Sequence, residues 1–360
     1  MSLSAAELQN LREQFGSTVR SAELFHYDKD LFRRATKVLQ KIDRGIWSLG
    51  DVGAPAIQTA ANVTPINAAA MKRATSGDRA DTSMVPPINP NFVPFGRFNV
   101  IKQIIMSKKF FPIFITGESG FGKTDMIAQI CAQLKRELFR VNFTTKTDEF
   151  DLIGEQGLVN GETIYQEGMV ISAMKRGAVL LLDEVDYASP EGFTALQSIL
   201  EGKPYLIKRT GELVVPAEGF TVIATANTKG QGDDDGKFFG TQILNEAFLE
   251  RFPITVEHGA PTPSVETKIL VNIGLAEGMT NVDDSLEKDA ARLVSWANAC
   301  REAQAKKSIS VTISTRRLIH IIRTASILND VREAVSLCVA RFDPLTSEAL
   351  VKFWDKLQSV

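Results

Sequence analysis

The sequence predicts an α/β protein: a parallel sheet with helices on both faces, followed by an all-helical C-terminal region. Three observations predict it. From Phe92 onward, short apolar runs alternate with helical patterns, as βαβ units require. After Pro261 and Pro263 the strand-like runs stop and helical periodicity takes over. Between one strand-like run (114–116) and one helical stretch lies Gly117-Glu118-Ser119-Gly120-Phe121-Gly122-Lys123-Thr124, which fits G-x-x-x-x-G-K-[ST] at every position.

The elements follow in chain order. Residues 4–49 read as helices, with apolar positions at Leu8, Leu11, Phe15 and Leu24 and then Leu31, Phe32, Val38, Leu39 and Ile42, giving an N-terminal helical region over 1–49. From 50 to 90 the chain is rich in Ala, Thr, Pro, Gly and Ser. It carries no aromatic residue between Trp47 and Phe92, and Pro55, Pro65, Pro86, Pro87 and Pro90 break any regular element. That stretch reads as a linker, either free or wrapped over a neighbouring subunit. A large α/β domain is expected over 91–258, with strands at 112–116, 139–143, 179–182 and 220–224 and helices at 125–138, 169–175 and 190–201. A small helical domain is expected over 259–360, with helices at 265–274, 286–306, 315–329, 331–339 and 347–357.

Composition narrows the class. At 360 residues the chain is too long for one core and suggests two or three domains. A net charge of −2 gives no global attraction to nucleic acid or anionic membrane, although a local basic surface lining a pore stays open. Cys131, Cys300 and Cys338 are scattered, as are His26, His258 and His320, and neither set has metal-ligand spacing. The N-terminus lacks a charged segment followed by an apolar one, and no apolar run is long enough to span a bilayer. The expected location is the cytoplasm.

The glycines of 117–124 let the backbone turn tightly, so that successive N–H groups point at a β-phosphate from a helix N-terminus. Lys123 then reaches the β- and γ-phosphates and the Thr124 hydroxyl coordinates Mg²⁺. The alternative, a flexible Gly-rich turn before a helix, leaves the complete motif unexplained. About sixty residues further on, Val179-Leu180-Leu181-Leu182-Asp183-Glu184-Val185-Asp186 reads as a buried strand delivering acids to its C-terminal end, where open α/β sheets bind ligands. Asp183 is expected to hold Mg²⁺ directly or through water, and Glu184 to act as general base on an attacking water. Val222-Ile223-Ala224-Thr225-Ala226-Asn227 is a strand ending in an amide that can orient that water; such an Asn is also a common turn former.

This order of motifs, with an L-x-R-F arginine at Arg251 and a helical C-terminal region, resembles the AAA+ ATPases. The text 230–252, which includes Gly230-Gln231-Gly232 and Gly240-Thr241-Gln242-Ile243-Leu244-Asn245-Glu246-Ala247-Phe248-Leu249-Glu250-Arg251-Phe252, resembles the small ATPase subunits of cobaltochelatase in the MoxR-like branch, close versions of which occur in tailed-phage genomes. The likeness covers roughly 91–329. For a phage-encoded chain the location becomes the host cytoplasm.

The resemblance implies ATP and Mg²⁺ as cofactors and a homo-oligomeric, hexameric ring with chaperone-like action on a partner. In this branch the partner is often a protein with a von Willebrand A domain. Asn227 matches sensor 1, Asn142 matches the residue that restrains the catalytic glutamate, and Arg251 matches an arginine finger acting in trans. The alternative for Arg251 read alone is a surface or interfacial ion pair. Arg316 matches sensor 2, with Arg317 one residue away and action within or between subunits open. The nucleotide-binding set implied is 117–124 (Gly117, Glu118, Ser119, Gly120, Phe121, Gly122, Lys123, Thr124) with Asp125, Val93 and Phe95. Val93 and Phe95 sit where this superfamily contacts adenine, and aromatics there also pack domain edges.

Two hairpin signals complete the reading. Val159-Asn160-Gly161-Glu162-Thr163 resembles a helix-2 insert, and 205–215 a pre-sensor-1 insert. Relatives turn such loops toward the pore or a partner; plain solvated hairpins are the alternative. Lys203, Lys208 and Arg209 keep a nucleic-acid motor open as a second function, and an ATP-bound scaffold without hydrolysis is a third.

Overall fold

The computed structural model describes residues 11, 18–20, 40–43, 46–48, 83–159, 162–188, 193–230, 232 and 241–357. It divides into two units, Met1–Lys72 and Arg73–Val360. In the first, β1 (Thr18–Arg20), β2 (Gln40–Asp43) and β3 (Ile46–Ser48) form an antiparallel sheet in the order β1-β3-β2. The expected helices over 4–49 are therefore wrong at these segments. Thr18, Val19, Ile42, Ile46 and Trp47 are β-branched or aromatic types that fit a pleated surface, and this outweighed an irregular helical spacing. Leu11 is helical and buried, in line with the expectation, and the remainder of that region and the linker from 50 to 82 lie outside the described residues.

The second unit is built on a five-stranded sheet. Its strands are β4 (Ile113–Thr116), β5 (Leu138–Asn142), β8 (Val179–Asp183), β11 (Thr221–Ala226) and β12 (Ile254–Glu257), all parallel, in the order β12-β4-β11-β8-β5. Alternation along each strand divides the side chains between two cores. Phe114, Leu180, Leu182, Val222 and Ala224 point to one face, covered by α3 (Glu149–Ile153), α4 (Met169–Arg176) and α5 (Gln197–Leu200). Ile113, Ile115, Val179, Leu181 and Ile223 point to the other, covered by α1 (Phe98–Met106) and α2 (Lys123–Leu134). Every residue of β4, β8 and β11 is buried. A strand covered on both sides reads as a continuous apolar run, which is why these three were visible in the sequence.

Differences from expectation have local causes. The helix expected to reach 138 stops at Leu134 because Lys135 adopts left-handed backbone (φ 52°). Arg136 then anchors the turn on the carbonyls of Gly177 (2.8 Å) and Gly219 (2.5 Å). In the segment expected as a helix over 190–201, α5 spans Gln197–Leu200, and 189–192 lie outside the described residues. Strand β12 was not anticipated: four residues after Pro253, alternating in polarity, give little signal without their partner β4. Residues 83–91 form no helix or strand, yet they are not a free tether. Gln129 accepts from the Asn89 N–H (2.8 Å) and donates to the Pro87 carbonyl (3.1 Å), while the Leu138 N–H donates to the Met84 carbonyl (3.0 Å).

Both expected hairpins form. β6 (Gly154–Val159) pairs with β7 (Glu162–Glu167), and β9 (Tyr205–Ile207) with β10 (Glu212–Val214). Lys175 on α4 bridges them, 2.7 Å from Glu167 and 2.8 Å from Glu212. The short α6 (Glu246–Leu249) precedes β12. Five helices follow: α7 (Pro263–Ala276), α8 (Ser285–Ala305), α9 (Thr315–Leu328), α10 (Val331–Val339) and α11 (Pro344–Lys356). Their apolar faces close a separate core around Trp296 and Trp354, whose rings meet edge to face at 6.2 Å. Among the described residues no helix is long and apolar enough to cross a membrane.

Candidate functional site

The C-terminal ends of β4, β11 and β8 lie side by side, and each delivers part of one site. Leaving β4, the chain turns at Gly117 with φ +148°; a Cβ there would stand 2.0 Å from the His258 carbonyl oxygen. That close packing is set by β12, because the His258 N–H donates to the Thr116 carbonyl at 2.8 Å. His258 is buried, its Nε2 lies 3.0 Å from the Phe121 carbonyl, and Phe95 packs on its ring at 4.7 Å. Burial pulls its pKa down, so a neutral imidazole braces the loop from behind. The loop ends at Gly122, in left-handed backbone (φ 89°) with nothing within 4 Å of where its Cβ would be, and α2 begins at Lys123.

Lys123 is buried. Its Nζ donates to the carbonyl oxygens of Gly117 and Glu118 (3.1 Å for the latter) and to Asn227 Oδ1 (3.1 Å). Burial lowers its pKa to about 8 despite the opposing pull of Asp186, Asp183 and Glu184; Arg316 adds to the lowering. Thr124 Oγ1 lies 3.2 and 3.1 Å from the two oxygens of Asp183. Thr225, fully buried on β11, donates to Asp183 Oδ1 and accepts the Glu184 N–H (3.1 Å). One hydroxyl thus ties Asp183, the carboxylate expected to hold Mg²⁺, to the residue expected as general base. Glu184 caps the short turn Val185–Tyr187 in left-handed backbone (φ 58°). Burial first, then Asp183 and Asp186, raises its pKa. Asp186 is fully buried and accepts the N–H groups of Asn227 (2.8 Å) and Thr228 (3.0 Å), which fixes the end of β11.

These groups surround a cavity of about 150 Å³ lined by Ser119, Gly122, Lys123, Thr124, Asp183, Glu184 and Asn227, with Arg140 and Arg316 as further cations. It opens beside a more apolar cavity of about 350 Å³ walled by Phe92, Val93, Phe95, Phe121 and Ile319, with Asp125 between the two. A polar chamber rich in donors next to an apolar one suits a nucleoside triphosphate. A hydroxyl beside a carboxylate suits Mg²⁺, a hard cation that takes few protein ligands and completes its shell with phosphate and water.

Not every expected residue joins them. Gly117 and Glu118 line a cavity behind the loop with His258 and Arg301. Asn142 ends β5 opposite Asp183 in register, and it is exposed and outside the lining of the polar cavity. Arg251 is also outside that lining: it pairs with Glu201 at 3.1 Å and donates to the Ala247 carbonyl. The two neighbouring arginines point in different directions. Arg316 lines the cavity of its own chain, whereas Arg317 donates to the Cys338 carbonyl at 3.1 Å inside the helical bundle.

Sequence reasoning missed several groups. Arg140 and Thr225 sit in apolar strands as ordinary polar residues until the sheet order brings them to Asp183. Glu266 on α7 is fully buried and is held bidentately by Arg301 (2.7 and 2.8 Å) and by Thr315 Oγ1 (2.6 Å). The Arg301 guanidinium also lies 5.3 Å over the Phe121 ring. No signal short of the packed fold links these four positions.

The model of the AAA domain, dynein-related subfamily, matches residues 112–252, the stretch that carries β4, the phosphate loop, Asp183, Glu184, Asn227 and Arg251. The chain is an AAA+ ATPase. It is 26% identical over 253 residues to the aerobic cobaltochelatase subunit CobS of Sinorhizobium sp, covering 69% of this chain and 74% of that one. It is 28% identical over 246 residues to the protein NorQ of Paracoccus denitrificans, covering 67% and 82%. It is 32% identical over 164 residues to midasin of Giardia intestinalis, covering 45% of this chain but 3% of that protein. This AAA+ ATPase is thus related to the MoxR-like branch in which CobS and NorQ fall, and ATP and Mg²⁺ dependence follow from that membership.

Proposed function

We propose that this AAA+ ATPase acts as a homo-oligomeric, hexameric ring that couples ATP hydrolysis to remodelling or activating a partner protein. The observation that carries the reading is the position of Arg251. Lys123, Arg140 and Arg316 line the chain's own polar cavity, while Arg251 sits apart on Glu201, partly exposed just beyond α6. Supplied to the cavity of a neighbouring copy, it stabilises charge developing on the γ-phosphoryl group.

Within one chain the roles divide as follows. Glu184 accepts a proton from the attacking water, and its raised pKa makes it a stronger base than an ordinary glutamate. Asn227, held by Asp186 through its own N–H, orients that water. Lys123 and Arg316 take the phosphate oxygens, and the strap from Asn89 to Phe95 borders the base. Mg²⁺ bound at Thr124 and Asp183 neutralises phosphate charge. Asn142, at the end of β5 opposite Asp183, restrains Glu184 until a neighbour docks.

A protein partner is favoured over nucleic acid because two of the three basic groups of the hairpin region, Lys203 and Arg209, are engaged. Arg209 lies 4.3 Å over the Phe150 ring and Lys203 pairs with Glu201 at 2.6 Å. Glu184→Gln loaded with ATP should retain a protein bearing a von Willebrand A domain, and the site of action is the cytoplasm, that of the host for a phage-encoded chain. A several-fold rise in ATPase rate with DNA or RNA, steeply salt-dependent, supports the motor reading instead. For the ring, specific ATPase activity should fall steeply on dilution. Activity independent of concentration, and retained in Arg251→Ala, sinks it.

A further inference from the structure

Asp183 is 2% exposed, and three side chains converge on its carboxylate. Thr225 donates to Oδ1 from the buried centre of the sheet, and Thr124 lies on the first turn of α2, 3.1 Å from Oδ2. Both are fixed by the elements that carry them. The third, Arg140, lies on the edge strand β5. Its Nη2 is 2.5 Å from Asp183 Oδ2, and its side chain is 52% exposed. Oδ1 is already committed to a fixed hydroxyl. A divalent cation resting on Thr124 and Asp183 therefore uses Oδ2, the oxygen Arg140 holds.

A guanidinium cannot shed its proton to relieve that conflict, so it has to move. Its arm has somewhere to go: Arg140 lines the same cavity as Lys123 and Arg316, where the phosphate oxygens of a bound nucleotide would present the planar acceptor pairs that guanidinium groups bind. Arg140 also faces Glu184, whose pKa it pulls down against the larger effect of burial. We infer that Arg140 is an exchangeable counter-ion of Asp183: the divalent cation displaces it, and the freed guanidinium turns onto the phosphates of the bound nucleotide. Cation binding and the arrival of a further phosphate contact are then one event. The inference rests on Thr124 and Asp183 being the cation site.

The test is the Mg²⁺ concentration that half-saturates binding of a fluorescent, non-hydrolysable ATP analogue at trace level and low salt. In Arg140→Ala this midpoint should fall about fivefold, because a competing charge is gone, and affinity at saturating Mg²⁺ should weaken by a similar factor, because a phosphate contact is gone. Arg140→Lys, which keeps a competing charge, should have a midpoint within about twofold of wild type. A merely structural residue would not move the two quantities in opposite directions. A midpoint that is unchanged or raised in Arg140→Ala overturns the inference. Asp183→Asn tests the underlying site separately: it should abolish the Mg²⁺ response, and a retained response means the cation binds elsewhere.

Discussion

The N–H of Arg316 donates to the Gly120 carbonyl at 3.0 Å, which bonds the first turn of α9 in the helical bundle directly to the phosphate loop. Thr315, one residue earlier, is tied through Glu266 to Arg301, so the side chain of Arg316 is aimed by a buried network. Removing that side chain should therefore affect binding more than folding. Arg316→Ala should weaken ATP binding about tenfold with little change in unfolding free energy, as for loss of a charged hydrogen bond. Arg317→Ala should do the reverse, costing about 1 kcal/mol of stability through the lost bond to Cys338 while leaving affinity within about twofold. Equilibrium denaturation and nucleotide titration of both variants separate the two roles.

Glu184→Gln should lower kcat by at least about 10²-fold and leave nucleotide binding intact, since only the proton acceptor is lost. Because burial, Asp183 and Asp186 all raise the Glu184 pKa, the acid limb of the wild-type kcat profile should lie above the usual glutamate range. Steady-state rates from acid to neutral pH measure it.

Lys123 gives the opposite limb. In the free protein its pKa is about 8, whereas a phosphate-bound lysine stays protonated well above that. Below about 8 the group is charged before and after binding and affinity is flat. Above it, each binding event must take up a proton, so affinity should fall toward tenfold per pH unit. Nucleotide titrations between neutral and alkaline pH check this, and Lys123→Ala should lose the dependence along with most of the affinity.

Gly117→Ala should be far more disruptive than its size suggests. The new Cβ meets the His258 carbonyl at 2.0 Å, and the backbone is at φ +148°, so β12 or the loop must shift. A cost of about 2–4 kcal/mol is expected, with loss of nucleotide binding. Gly259→Ala, with open space around its Cβ position, should stay within about 0.5 kcal/mol of wild type in the same denaturation experiment.

What could be read before the fold was known follows from how each signal is encoded. The phosphate loop, β8 and β11 were legible because a contiguous motif or a doubly covered apolar strand states its role locally. The helices of the C-terminal bundle were legible for a similar reason, each having its own apolar stripe. Strand β12 was invisible because four residues alternating in polarity become a strand only beside β4. Arg140, Thr225 and His258 act through neighbours contributed by other strands, so their roles depend on the order β12-β4-β11-β8-β5. The helical expectation at 18–20, 40–43 and 46–48 failed because a loose apolar spacing was read over β-forming residue types.

The proposed ring needs residues from two copies at each working site: Glu184 from one and Arg251 from the next. Mixing purified Glu184→Gln with purified Arg251→Ala tests it most directly, because each lacks a different half. The mixture should hydrolyse ATP several-fold faster than either variant alone, at sites where an intact Glu184 meets an intact Arg251. A mixture no faster than the sum of its parts, when both variants bind nucleotide and co-assemble, would contradict it.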